Sequence, residues 1–260
     1  MTSAKLMGGL GNQIFMMAAA TALALRNNTE AVFDLEKCST ELQGNAAEKY
    51  RNNFYRNVKS ASIALDGANI YKEPKFTFDE IPYSENLILE GYFQSEKYFA
   101  DCKPHIRSMF HFEPERKERI QEYLNSVGVD KPITTIHIRR GDYLKFPDVY
   151  YVCDKEYYER AMAELPGNNF VFVAYGKDMD WVKENFSGEN IFYSPFTEEL
   201  DDLTLLSMGD NNIIANSTFS WWGAWFNPNQ NKKVIAPKDW FKPQYNTSAE
   251  DMYCDGWLVI

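Results

Sequence analysis

The 260-residue sequence predicts an α/β fold with parallel sheets, on three observations. From residue 133 onward, apolar strand-like runs and helix-like runs alternate strictly. Within residues 133–138, Ile136 and Ile138 fall on one face of a strand and Thr135 and His137 on the other, and Arg139 follows on the second face. At the other end of the chain, a glycine-rich turn at residues 8–13 joins a short strand to a long apolar helix.

In order, residues 4–7 read as a strand and Gly8-Gly9-Leu10-Gly11-Asn12-Gln13 as a tight turn. Residues 14–26 read as a helix and 31–34 as a second strand. Such a turn lets a ligand approach the backbone, and the helix start behind it favours anions. It is neither a GxGxxG fingerprint nor a P-loop, so a plain strand-to-helix turn explains it equally. Residues 35–79 show no assignable period. Leu87-Ile88-Leu89 reads as a strand, Ser95 as a helix cap, 112–125 as a charged helix and 128–132 as a linker. Strands then follow at 133–138, 170–174, 190–193, 212–215 and 233–236. Helices fill the intervals at 155–165, 179–186, 198–208 and 219–226. The expected division is residues 1–130 and 131–260.

In open α/β sheets, ligands bind beyond the carboxyl ends of strands. His137 and Arg139 stand at such an end, and an arginine fork suits phosphate oxygens. Arg140 reads as a surface turn residue, and Asp142 as either a base or a structural turn acid. A second such end is Asn216-Ser217-Thr218, before Phe219-Ser220-Trp221-Trp222-Gly223-Ala224-Trp225. Asn, Ser and Thr there form either a plain helix cap or a phosphate cradle with free amides, while the tryptophans read as core. After the strand at 170–174 come Tyr175, Gly176 and Asp178, placed to meet a base. Asp178 would accept the N1–H and N2–H₂ of a guanine, or simply cap a helix.

Composition excludes several classes. A net charge of −10 and a pI near 4.9 argue against nucleic acid. With three histidines and no CxxC or HExxH spacing, no metal site is expected; Asp178-Met179-Asp180 reads as a helix start. The glycine-broken apolar run at 6–25 is no membrane span, and the four scattered cysteines suit a cytoplasmic protein with reduced thiols.

Four stretches together resemble the glycosyltransferase family 11 α-1,2-fucosyltransferases: GGLGNQ at 8–13, GYFQSEKYF at 91–99, HIRRGDY at 137–143 and IANSTFSWWGAW at 214–225. The resemblance implies a GT-B-type fold, two Rossmann-like domains with parallel sheets facing across a cleft. Residues 1–130 would be the acceptor side and 131–260 the GDP-sugar-binding side. It implies GDP-fucose as a substrate rather than a cofactor, a galactose-containing glycan as acceptor, inversion at the anomeric carbon and no metal. His137 and Arg139 would contact the diphosphate. Arg139, Asn12 and Asp142 are the expected catalytic residues. Gly9, Gly11, Asn12, His137, Arg139, Tyr175, Asp178, Asn216, Ser217 and Thr218 are the expected donor-binding set. Transfer of another GDP-linked sugar, or non-catalytic binding of a glycan or nucleotide-sugar, are the alternatives.

Overall fold

A computed structural model describes residues 1–38, 44–128, 130–245 and 247–260. Packing divides the chain into two compact units. Unit 1 is Met1–Glu113 with Ser248–Tyr253, and unit 2 is Pro114–Thr247 with Cys254–Ile260.

Unit 1 contains β1 (Thr2–Ala4), α1 (Leu10–Arg26), β2 (Asn69–Lys72), β3 (Leu87–Glu90) and α2 (Lys103–Met109). All strand pairings are parallel, in the order β1-β3-β2. Single parallel bridges extend the sheet past β1, from Thr2 to Ala31 and from Phe33 to Ser60. The expected strand at 31–34 is thus reduced to bridges, and the first strand lies two residues earlier than expected. Ser95 does cap, accepting from Lys97 N–H at 3.3 Å, but only a short 3-10 turn at Glu96–Tyr98 follows. Helix α1 is buried on nearly every side, which its apolar run permits. Unassigned residues 35–79 hold β2; part of that stretch, 39–43, lies outside the described residues, as does Val129 in the expected linker.

Unit 2 opens with α3 (Pro114–Val127) and continues β4 (Ile133–His137), α4 (Lys155–Ala163), β5 (Asn169–Val173), α5 (Lys177–Asn185), β6 (Ile191–Tyr193), α6 (Glu199–Leu206), β7 (Asn211–Ile213), α7 (Thr218–Phe226), β8 (Val234–Ala236) and β9 (Leu258–Val259). All pairings are parallel, in the order β6-β5-β4-β7-β8-β9. Counting β4 first, this is the doubly wound order 3-2-1-4-5-6, whose direction reverses between β4 and β7. Alternation along β5 explains the two layers of helices. Phe170 and Phe172 pack with Tyr157, Tyr158 and Val182 of α4 and α5. Val171 and Val173 pack with Ile120, Leu124, Leu205 and Leu206 of α3 and α6. Because α3 buries its apolar stripe in this core, the packing boundary falls before it at residue 114, not after it at 130. Among the described residues, no helix is long and apolar enough to cross a membrane.

Candidate functional site

The reversal in unit 2 falls between β4 and β7, and open α/β sheets bind ligands beyond the carboxyl ends of the strands at such a point. His137 ends β4, and its ring lies 5.5 Å from that of Phe219, in the first turn of α7. The two motif stretches therefore meet at this point. Only 6% of His137 is exposed, and its Nδ1 is buried without a hydrogen-bond partner. Arg139 Nε is likewise buried and unpartnered, while its Nη2 donates to Asp142 Oδ2 at 2.9 Å. The Arg139 guanidinium lies 5.5 Å from the centre of the Tyr143 ring. Arg140 turns elsewhere and stacks 4.0 Å over Trp181 of α5. The strand has ended by then, so the divergence of the two arginines comes from the loop and not from strand alternation.

Ser217 is the N-cap residue of α7 but makes no side-chain cap bond. Thr218 is the first residue of the helix. Asn216, expected at the ligand, faces inward instead. Its Nδ2 donates to the carbonyls of Tyr151 (2.7 Å) and Trp240 (3.0 Å), and its Oδ1 accepts from Cys153 Sγ at 3.5 Å. Its own carbonyl accepts from Tyr143 Oη at 2.9 Å. Asn216 ties three loops together. Trp221, Trp222 and Trp225 are core, as expected.

Asp178 differs most from the sequence reading. It caps nothing: Gly176, at φ +56°, is the N-cap of α5 and Asp178 sits in the first turn. Its carboxylate reaches back to the loop after β4. Oδ2 accepts from Arg140 N–H at 2.8 Å, and both oxygens accept from Gly141 N–H at 3.0 Å. An acidic side chain from the first turn of α5 thereby fixes the arginine-bearing loop. Tyr175, just before it, is 77% exposed beyond the end of β5. Asp142 is held in the ion pair with Arg139, which suits orienting the guanidinium better than taking a proton.

In unit 1, Gly9 is the N-cap of α1, with Gly11 and Asn12 in the first turn. The turn needs glycine at position 8, where φ is +72° and a Cβ would stand 2.6 Å from Asn12 Nδ2. Asn12 Oδ1 accepts from Gln94 Nε2 at 2.9 Å, so the GGLGNQ and GYFQ stretches also converge. Buried Gln13 donates to the carbonyls of Gly8 and Asn45, both at 2.8 Å, and accepts from Tyr55 Oη at 3.0 Å. Glu73 holds the GYFQ loop by accepting from Tyr92 N–H (2.7 Å) and Phe93 N–H (3.0 Å). Gln94 and Glu73 were not among the expected site residues. Gln94 lay in plain view inside the 91–99 stretch, whereas Glu73 sat where no period could be read.

Burial, with the Arg139 charge second, lowers the His137 pKa to about 3, so the ring is neutral at working pH. Unfolded, it titrates near 6.5. As pH falls below 6.5 the unfolded chain takes up a proton that the native chain refuses. The stability His137 contributes is complete above that pH and is lost on acidification. The loss should be about 2 kcal/mol at pH 5. His137→Gln should therefore show a smaller fall in Tm between pH 7 and pH 5 than the parent. An equal fall in thermal melts would contradict the burial argument.

Comparison with known proteins gives the chain a family and its fold a set of neighbours. The model of Glycosyl transferase family 11 matches residues 3–260. An alpha-1,2-colitosyltransferase of Escherichia coli is 30% identical, covering 99% of this chain and 98% of its own. A galactoside 2-alpha-L-fucosyltransferase of Caenorhabditis elegans is 22% identical, over 97% of this chain and 77% of its own. In fold, the chain is similar to the NodZ alpha-1,6-fucosyltransferase soaked with GDP-fucose. The TM-score is 0.50 at 14% identity, covering 87% of this chain and 93% of that one.

Proposed function

Because the chain belongs to glycosyltransferase family 11, we propose that it transfers L-fucose from GDP-fucose to the 2-hydroxyl of a terminal galactoside, with inversion. The observation that carries this reading is the pair of unpartnered buried nitrogens, His137 Nδ1 and Arg139 Nε, gathered at the switch point of unit 2. Buried polar atoms without partners are costly, and a diphosphate supplies acceptors for a guanidinium. The start of α7 adds the favourable end of a helix dipole.

In the reaction, the acceptor hydroxyl oxygen forms a bond to the anomeric carbon as the bond to the β-phosphate oxygen breaks, and the hydroxyl proton is released to water. The electron pair leaves with GDP, so negative charge grows on the phosphate. Arg139 and the start of α7 stabilise that charge. Asp142 orients Arg139 through their ion pair, and Asp178 holds the loop on which Arg139 stands. The Asn12–Gln94 pair fixes the turn of unit 1 on which we place the acceptor side. We place the reaction in the cytoplasm, where the thiols of Cys38, Cys102, Cys153 and Cys254 stay reduced.

The colitosyltransferase relative supports a second reading with the same chemistry, in which colitose replaces fucose as the sugar transferred. Parallel incubations with GDP-fucose and GDP-colitose, with lactose as acceptor, separate the two by product mass.

The Asp178 carboxylate faces backbone amides rather than an open site. Among the described residues no three His, Cys, Asp or Glu side chains gather as an ion site. We expect transfer to persist in excess EDTA. Activity lost in EDTA and restored by Mn²⁺ would overturn the metal-free mechanism.

A further inference from the structure

Three loops of unit 1 leave the same end of its sheet, because β1, β3 and β2 are parallel. The Gly8 turn comes after β1, Gly91 follows β3 and Glu73 follows β2. In open α/β sheets this carboxyl end is where ligands bind. The loop after β3 is strained there. Phe93, fully buried, sits at φ +51°, in the left-handed region that bulky side chains rarely adopt. Such strain persists only where the surroundings hold it, and it gathers at functional sites.

Glu73 holds it from one side. Its Oε2 accepts from Tyr92 N–H at 2.7 Å and its Oε1 from Phe93 N–H at 3.0 Å. The approach is close enough to require glycine at 91, where a Cβ would stand 2.6 Å from Glu73 Oε2. Burial pushes the Glu73 carboxyl up, and the two amides pull it back. From another side, the Phe93 ring packs edge-on against Tyr98 at 5.3 Å. The loop so held delivers Gln94. The Phe93 carbonyl accepts from Ser95 N–H at 2.8 Å, which closes a three-residue turn with Gln94 at its tip. Gln94 is 7% exposed, and its Nε2 donates to Asn12 Oδ1 at 2.9 Å. An amide nitrogen only donates, so it selects the oxygen of Asn12 and turns the Asn12 Nδ2 toward Gly8.

Resting on the transferase reading, we propose that Glu73 is a positioning residue for sugar transfer, acting through Gln94 on Asn12. It holds the strained Phe93 turn, the turn sets Gln94 against Asn12, and Gln94 keeps the Asn12 amide facing the glycine turn. Glu73 itself touches no substrate in this scheme, since both of its oxygens are taken by backbone amides.

The test is steady-state kinetics on the full chain, with lactose and the GDP-sugar that the parent uses, beside GDP affinity and Tm. Glu73→Ala should lower kcat about 100-fold, the cost of a misplacement near 1 Å. GDP affinity should stay within about twofold, because Arg139 and α7 belong to the other unit. Glu73→Gln keeps one acceptor and should lose only about tenfold, so it reads the same step if the alanine variant melts below the assay temperature. Gln94→Ala should match Glu73→Ala. The double variant should lose no more than either, because both changes act through one amide. A merely structural Glu73 would lower Tm and leave the kcat of the folded protein unmoved. The role is overturned if the folded Glu73 variants turn over as the parent does, if the losses multiply in the double variant, or if GDP affinity falls as far as kcat. Transfer by the parent with turnover unmoved in the variants removes the role and leaves the function. Absence of transfer by the parent from any GDP-sugar removes the function and the role with it.

Discussion

Arg139→Ala should lower kcat by about 100- to 1,000-fold with the fold intact, the scale expected when one donor to a developing oxyanion is removed. Its guanidinium keeps one buried nitrogen unpartnered at the switch point while Asp142 fixes another. A diphosphate presents several oxygens, and a guanidinium bridges two of them with parallel hydrogen bonds. Arg139→Lys keeps the charge but loses that fork, and should recover little. Arg140→Ala should behave differently. Its side chain stacks on Trp181 of α5, so its loss should cost about 1 kcal/mol of stability and leave most of the turnover. Steady-state kinetics and thermal melts of the three variants decide the matter. Near-native turnover in Arg139→Ala beside loss in Arg140→Ala would show that the phosphate ligand is the neighbouring arginine.

Asp178→Ala should be the second severe lesion, although Asp178 touches no ligand in this account. Removing the carboxylate frees the N–H groups of Arg140 and Gly141 together and releases the loop that carries Arg139. A misplacement near 1 Å costs on the order of 100-fold in rate. Asp178→Asn should recover part of it. One carbonyl oxygen can replace Oδ2, but the amide nitrogen would face the Gly141 N–H where Oδ1 now accepts. A loop clamp and a guanine contact differ in one measurable way. The clamp weakens GDP and inorganic pyrophosphate in parallel, whereas a guanine contact weakens GDP alone. Unchanged pyrophosphate affinity in Asp178→Ala would restore the base-recognition role expected from the sequence.

Unit 2 was legible because its inner strands are continuous apolar runs. Phe170-Val171-Phe172-Val173 is buried on both faces and could hardly be surface chain. Unit 1 was harder for the opposite reason. β2, Asn69–Lys72, is an edge strand with mostly exposed residues and no apolar run. β1 buries Thr2 and Ser3, against their hydropathy, and so was read two residues late. Within the site, His137 could be placed from alternation because it ends the strand, and Arg139 follows two residues on. The roles of Asp178 and Asn216 could not be read that way. Asp178 acts on amides 37 and 38 positions away in sequence, and Asn216 on carbonyls 24 and 65 positions away. Side-chain bonds of that range depend on the packed loops, which no local pattern records.

Transfer of a GDP-linked sugar to the 2-hydroxyl of a galactoside is the step on which the other expectations depend. The most direct test is incubation of the purified chain with lactose and, separately, GDP-fucose, GDP-colitose and a UDP-hexose, followed by mass and NMR linkage analysis of the product. The expected product is a trisaccharide from a GDP-linked donor, with an α-1,2 linkage to the galactose, and none from the UDP-hexose. A product formed from the UDP-hexose alone, or one linked elsewhere than the galactose 2-hydroxyl, would contradict it.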